Sequence, residues 1–462
     1  MTHKTHVVVI VPDGVGIKNY LYSNVLSYLA KHSEITIWSS LPENAFDEVK
    51  KVHTSLDINY KYLQLHKESI LTRLYRESAT YARLHFFKKK TNNETLLLNW
   101  RRPRGNYKLK LLYRFAELFG SWAKSNYHRI LKLENLSKKY WSKNIIEFYK
   151  SELNDLMADS IFITHQRVAG LMPICLASEE LGVKSVSAIF SWDNLPKARL
   201  CVSADYYALW SNLMAEDMAL FYPEIETEQL KIVGTPQFEF YTQENRILDR
   251  TSFAKTYGLD ANKNWICFSG DDELTSPYDP NYLNDIADRI SKSHRDVQLV
   301  FRRCPVDFTN RYDIVIDKFK DVIFSIDPIW HTDSNSWVGY FSKYSDIDLQ
   351  VNLAHHCLGV INLGSTMALD FASSKKPCFY LNYDIVKDPN WSTEFIYKYH
   401  HFDSLKGLDP VGWINNKDEI DSAIDSILNG SEQLIEDSKK WMERIVQFPI
   451  DENSEKLSKL LV

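Results

Sequence analysis

The chain has no apolar stretch long enough to cross a bilayer. Runs such as "VVVIV" at 7–11 fall far short of the ~18 residues that a spanning helix needs. The first residues also lack the apolar core and small-residue cleavage site of a secretory signal, so a cytosolic protein is expected. Cysteine is sparse: the six residues Cys175, Cys201, Cys267, Cys304, Cys357 and Cys378 show no paired spacing, and four lie in or beside apolar runs. That pattern suits reduced core thiols rather than a disulfide framework or a zinc site, and no metal is expected. GxSxG, Walker, HExxH and CxxC patterns are all absent, which argues against common hydrolases, P-loop enzymes and zinc proteins.

What is present is a chain of 462 residues, 44% hydrophobic and 13% aromatic, too long for one small core and too apolar for disorder. The net charge of −5 hides an asymmetry. Residues 81–150 carry 17 Lys/Arg against 4 Asp/Glu, with aromatics interleaved, so one basic segment sits on an otherwise acidic protein. Such a segment is either a solvated helical face or a surface for anionic lipid head groups. Peripheral membrane contact through 81–150 is the expectation carried forward, and no nucleic-acid partner is expected.

Apolar periodicity alternates between strand and helix. "HVVVIVPDGVGIKNYLYSNVLSYLAKHSEITIWSS" reads as strand, glycine turn, helix and strand, with Leu21, Val25, Leu26 and Leu29 at helical spacing. The alternation returns around "SIFIT" and "SVSAIF", which flank a helix containing Leu171, Ile174 and Leu181. A second series runs through "NWICFSGDD", "DVQLVFRRCP", "DVIFSID", "CLGVINLG" and "PCFYLN". Strands separated by single helices imply parallel sheets. The expectation is two α/β domains, 1–245 and 246–430, with a linker near 240–262 and a helical insertion at about 65–150. The tail 431–462 carries Leu434, Ile435, Trp441, Met442, Ile445 and Val446 at helical spacing and has an apolar face to bury.

In such domains ligands sit beyond the carboxyl ends of the strands. Those positions hold Asp13-Gly14, Thr164 to Arg167, Ser191 to Asn194, Ser269 to Asp271, Arg302-Arg303 and Gly364-Ser365-Thr366. The last three open a possible helix, and Asp370 follows one turn later. Free amides and hydroxyls there suit a phosphate, and Asp370 a ribose; an ordinary Ser/Thr helix cap reads equally well locally. Arg302 and Arg303 read either as a grip on a diphosphate or as ion pairs with acids such as Asp307, and Ser269-Gly270 in the same domain as a second glycine-bearing strand end or a plain turn. Asp13 reads as a general base or a helix cap, and His165 and Asp193 follow later strands of the same domain.

The stretch "SWDNLPKARLCVSADYYALWSNLMAEDMALFYPEIETEQLKIVGTPQFEFY" resembles the middle of GT-B-type glycosyltransferases of bacterial surface polysaccharide synthesis. "PDGVGIKNYLYSNVL", "CFSGDDE" and "GSTMALDFASSKKP" are similar to their first helix, second-domain opening and donor-binding helix. The resemblance implies two facing Rossmann-like domains, the first binding an acceptor and the second a nucleotide-sugar, with a C-terminal helix crossing back onto the first. It implies that Gly364, Ser365 and Thr366 hold the phosphates, Asp370 the ribose, and that Asp13 is the base if the reaction inverts. Aspartate stands where relatives commonly have glutamate, and Cys304 where they often have histidine. The implied activity is transfer of a sugar from a nucleotide-sugar to a glycan or lipid-linked acceptor, for capsule or lipopolysaccharide, in the cytoplasm at the inner membrane face. The competing expectations are a CDP-polyol phosphotransferase, a nucleotide-sugar epimerase, and a non-catalytic sugar-binding partner. No cofactor beyond the nucleotide-sugar substrate is expected.

Overall fold

A computed structural model of the chain describes residues 4–103, 105–294, 296–332 and 339–462. Seven parallel strands form the first sheet: β1 Thr5–Val11, β2 Ser33–Ser39, β3 Asn59–Tyr62, β4 Ser160–Ile163, β5 Lys184–Ala188, β6 Tyr206–Leu209 and β7 Leu230–Ile232. Their order is β3-β2-β1-β4-β5-β6-β7. The second sheet takes β8 Asn264–Ser269, β9 Val297–Arg302 and β10 Ile323–Ile326; a short antiparallel pair, β11 Trp330–His331 and β12 Phe341–Ser342, follows before β13 Val360–Asn362, β14 Cys378–Leu381 and β15 Gly412–Ile414. Its order, β10-β9-β8-β13-β14-β15, repeats the topology of the first. These are the two Rossmann-like sheets expected from the alternating pattern.

The central strands are apolar on both faces because helices cover both faces. In β1, Val7 to Val11 are all buried, with Val9 in register with Ile37 of β2 and Phe162 of β4. The spacing of Leu21, Val25, Leu26 and Leu29 does bury all four, on a π-helical turn Ile17–Leu21 followed by a short α-helix Val25–Leu29. The tail helix Glu432–Ile445 packs on the helices Met367–Ser373 and Asn212–Phe221, and the last helix, Asn453–Leu461, on Val25–Leu29. There the Ser458 hydroxyl donates to the Val25 carbonyl at 3.1 Å.

Between β3 and β4 the described residues form four α-helices, Ile70–Thr91, Tyr107–Ala123, Tyr127–Lys139 and Lys143–Asp155, with a 3₁₀ turn, Glu94–Asn99. Arg83 fastens this insertion to the first domain. Its side chain is 2% exposed; it pairs with Glu134 at 2.7 Å and Glu224 at 2.8 Å, and donates to the Phe221 carbonyl at 2.6 Å. The insertion also reaches the second domain, where Asn93 Nδ2 donates to the Lys398 carbonyl at 2.8 Å. A buried arginine with two acids and a carbonyl is costly to break, because each partner then lies half-buried without its counter-charge. Arg83→Ala is therefore expected to lose about 3 kcal/mol in urea unfolding, the low end for a buried pair since both acids keep some solvent. A loss below about 1 kcal/mol would mean that water replaces the guanidinium and that the insertion is anchored by packing alone.

Candidate functional site

Each strand order reverses direction once, between β1 and β4 and between β8 and β13. Loops leaving the strands there diverge and open a crevice. A cavity of about 580 Å³ lies between the sheets, lined by Arg167 and Asp193 of the first domain, Asp271 and Gly364 of the second, and Arg101 of the insertion. That volume falls in the ~300–1,000 Å³ range of small-molecule sites.

Of the residues expected from sequence, Asp193, Gly364, Ser365 and Thr366 line this cavity. Gly364 has φ +69°, and a Cβ there would lie 2.8 Å from the Phe402 ring, so only glycine fits. The Ser365 amide donates to the Asn362 side-chain oxygen at 2.9 Å. That bond ties the turn ahead of the helix Met367–Ser373, whose cap residue Thr366 makes no side-chain capping bond, and both hydroxyl residues remain on the cavity wall. Asp193 is held by the Lys197 ammonium, the Ser191 hydroxyl at 2.6 Å and the Asn194 amide at 2.8 Å. Burial opposes its charge, but Lys197 and His401 outweigh burial and hold the carboxyl well below its usual range. A carboxylate with so little proton affinity is an acceptor of hydrogen bonds and a poor base. Beside it, burial pushes the His401 imidazole down to about 4, so this ring is neutral at physiological pH.

The other expected residues do not line this cavity. Asp13 and His165, at the ends of β1 and β4, meet each other: Asp13 Oδ2 lies 2.7 Å from His165 Nδ1, and Asp13 Oδ1 accepts the Val15 amide at 3.2 Å. Both carboxylate oxygens of Asp13 are thus engaged within the fold. Arg302 is buried and pairs with Asp346 at 2.6 Å, and its Nη1 is buried with no hydrogen-bond partner among the described residues. Arg303 donates to the Thr309 carbonyl at 2.6 Å and neighbours Asp313. The diphosphate grip expected of this pair does not fit their placement, since internal acceptors take them first. Asp370 accepts the Tyr241 hydroxyl at 2.7 Å, away from the cavity, so the ribose contact expected of it does not fit either.

Ser269 and Gly270 end β8 behind the cavity wall, and the next residue, Asp271, reaches it. Burial and the neighbouring Asp279 and Asp272 raise the Asp271 carboxyl well above its usual range, with Arg311 offsetting part. Asp279 is itself pushed up to about 6 by burial, although it accepts the Asp271 amide, the Ser276 hydroxyl and the Tyr312 hydroxyl, each at 2.8 Å. Both carboxyls of this buried corner thus hold protons more tightly than free aspartates do.

The cations available to a ligand are ones that motif reading passed over. Arg167 and Arg101 are exposed on the cavity wall, and neither makes a hydrogen bond or ion pair with any described residue. Arg167 was at least marked by its position after β4. Arg101, like Thr95 and Leu96 of the insertion, belongs to no motif, and His401 lies in a segment without strand or helix periodicity.

No protein-family model and no curated protein matches the chain in sequence. Solved structures do match in fold. The UDP-GlcNAc 2-epimerase from Neisseria meningitidis bound to UDP-GlcNAc aligns at TM-score 0.51 with 10% identity, over 99% of both chains. The UDP-GlcNAc 2-epimerase from Methanocaldococcus jannaschii aligns at 0.51 with 11% identity, again over 99% of both. The wall teichoic acid polymerase TagF aligns at 0.51 with 10% identity, over 99% of this chain and 88% of that one. With the two parallel sheets, these likenesses show the GT-B fold.

The Asp271 carboxyl gives a signed test. A carboxyl whose folded value is raised weakens the fold increasingly as pH climbs from the unfolded value of about 4 to the folded one. Asp271→Asn removes that cost, so its melting temperature should exceed the wild type at pH 8 and match it near pH 3.5. A melting temperature lowered at both pH values would place Asp271 in the structural framework instead.

Proposed function

We propose that the chain is an enzyme of nucleotide-activated sugars, which holds a nucleotide diphosphate-sugar in the cavity between its two sheets. The observation that carries this reading is Arg167, a guanidinium without a partner among the described residues, on the wall of a switch-point cavity that also holds the Gly364-Ser365-Thr366 turn. Proteins of the same fold support it: one epimerase is bound to UDP-GlcNAc, and TagF was soaked with CDPG.

Epimerisation of the sugar is the reaction that these likenesses favour, ahead of the glycosyl transfer implied by the sequence resemblance. Inverting a carbon centre breaks a C–H bond on one face and forms one on the other, and this takes groups that exchange protons near neutral pH. Asp271, on the cavity wall beyond the end of β8 and with its carboxyl raised well above the usual range by burial and by Asp279 and Asp272, is the group we assign to that exchange. Transfer to a glycan or lipid-linked acceptor, or of a polyol phosphate from a CDP donor, is the second reading. It is favoured by the insertion, whose Thr95, Leu98 and Arg101 add a wall to the cavity where a second substrate would lie.

A thermal-shift screen with UDP, UDP-GlcNAc, GDP and CDP-glycerol tests the common part, since a ligand at a hundred times its Kd adds about 2.7 kcal/mol of stability. Arg167→Ala is expected to weaken the best nucleotide about tenfold, the share of one charged hydrogen bond. Incubation of UDP-GlcNAc in D₂O then separates the reactions. Deuterium entering the sugar ring indicates epimerisation, whereas nucleotide release that needs an added acceptor indicates transfer. A chain that no nucleotide stabilises would sink both readings and leave a non-catalytic sugar-binding partner.

A further inference from the structure

The helix Tyr107–Ala123 is apolar on two faces, and only one of them is used. Tyr113, Ala116, Gly120 and Ala123 are buried, and this face packs on the helix Ile70–Thr91. The approach is close: a Cβ on Gly120 would lie 2.7 Å from the Tyr81 ring. The opposite face carries Leu111, Phe115, Leu118, Phe119 and Trp122 at i, i+4, i+7, i+8 and i+11, a single stripe on a 3.6-residue helix. These side chains stand in solvent, Leu118 at 65% and Phe115 and Trp122 at 48% of full exposure. The patch continues past the helix, because Phe119 contacts the Tyr75 ring, which stacks on Tyr140 with centroids 5.4 Å apart.

Charge of one sign surrounds the stripe. Between 101 and 129 the sequence holds eight Lys/Arg and one acid, Glu117, which is already bonded to Arg102 and Trp100. Lys108, Lys110, Arg114 and Lys124 are exposed, and none pairs with a carboxylate among the described residues. Arg129 lies over the Trp122 ring, 4.9 Å from its centroid. No described helix is long and apolar enough to cross a membrane. A short amphipathic helix with aliphatic and aromatic side chains on one face and unpaired cations along its flanks has instead the make-up of one that lies in a bilayer interface.

We propose that the helix Tyr107–Ala123 docks on an anionic phospholipid surface, with Leu111, Phe115, Leu118 and Trp122 among the acyl chains and the flanking lysines and arginines at the phosphates. The apolar stripe decides against nucleic acid, which would repay the cations but not the buried hydrocarbon. Arg101 lines the cavity and the helix begins six residues later, so docking would bring the cavity mouth to the membrane surface.

Co-sedimentation of the full chain with vesicles of phosphatidylcholine, alone or mixed with phosphatidylglycerol, tests this. The wild type is expected to bind the mixed vesicles and to bind less as salt rises. Leu118→Glu with Trp122→Glu should lower that binding at least tenfold, to about the level of a surface without an apolar anchor. Lys108→Glu with Lys110→Glu and Arg114→Glu should abolish the preference for phosphatidylglycerol. All five positions are exposed, and unchanged melting temperatures would show that the variants fold. Failure of the wild type to bind mixed vesicles overturns the proposal. So does equal binding by the Leu118/Trp122 variant, or a wild-type dimer that this variant turns into a monomer, since the stripe would then belong to a second copy.

Discussion

One buried ion pair, Arg302 with Asp346, ties together the segments on which the joint between the two domains is built. Arg302 ends β9, and Asp346 sits in the first turn of the helix Ser345–His356. Asp346 accepts the Arg302 guanidinium at 2.6 Å, the Ile329 amide at 2.8 Å and the Trp330 indole at 3.0 Å. One carboxylate thus fixes the end of β9, the entry to β11 and the start of a helix. Burial opposes its charge, and Arg302 together with Lys18 keeps it ionised. Such a pair adds little net stability over an apolar contact of the same volume. Its effect is geometric, because it permits one arrangement of three segments and penalises the rest.

Those segments are the ones that carry the second domain onto the first. Lys18 of the first domain bonds Gln350 of the same helix, and the Tyr22 hydroxyl donates to the Ser342 carbonyl in β12 at 2.8 Å. Arg246, between the sheets in sequence, pairs with Asp348 at 2.6 Å, and Tyr241 donates to Asp370. The residues that a sequence reading gives to the nucleotide, Arg302 and Asp370, therefore belong to the joint between the domains. Their side chains are taken up by partners in that joint, Asp346 and Tyr241, and neither lines the cavity.

The sequence made the fold legible wherever burial on both faces wrote a continuous apolar run, as in β1, β4, β8, β9 and β14. It was silent at β3, β7 and β15, where "NYKY", "LKI" and "GWI" are short and only partly buried. For the site, the rule that ligands gather beyond strand ends marked Arg167, Asp193, Asp271 and Gly364 correctly as cavity residues. It had no means of telling which strand-end side chains would be taken by internal partners. Asp13 and His165 were each visible, but their contact spans 152 positions and appears only when β1 and β4 pair. Arg101 and His401 come to the cavity on an insertion and an irregular segment, and no periodicity announces such residues.

The distinction between paired and unpaired cations then organises the whole molecule. Arg83 and Arg302 are buried, each with a carboxylate held within 2.7 Å, and each ties segments distant in sequence. Arg167 in the cavity and Lys108, Lys110 and Arg114 on the amphipathic helix have no such partner among the described residues. Desolvating a lone cation is costly, so these side chains stay in water until an anion with its own charge arrives. The acids show the converse. Asp193 is paired with Lys197, whereas Asp271 is buried and crowded by Asp279 and Asp272, which raise its carboxyl well above the usual range. A fold under selection for stability alone would have paired or replaced that carboxyl, because uncompensated burial of an acid weakens the native state. That carboxyl stands just beyond β8 on the wall of the same cavity as Arg167, which makes no ion pair with a described residue, so the crevice brings together an acid of raised proton affinity and a cation open to an anionic ligand.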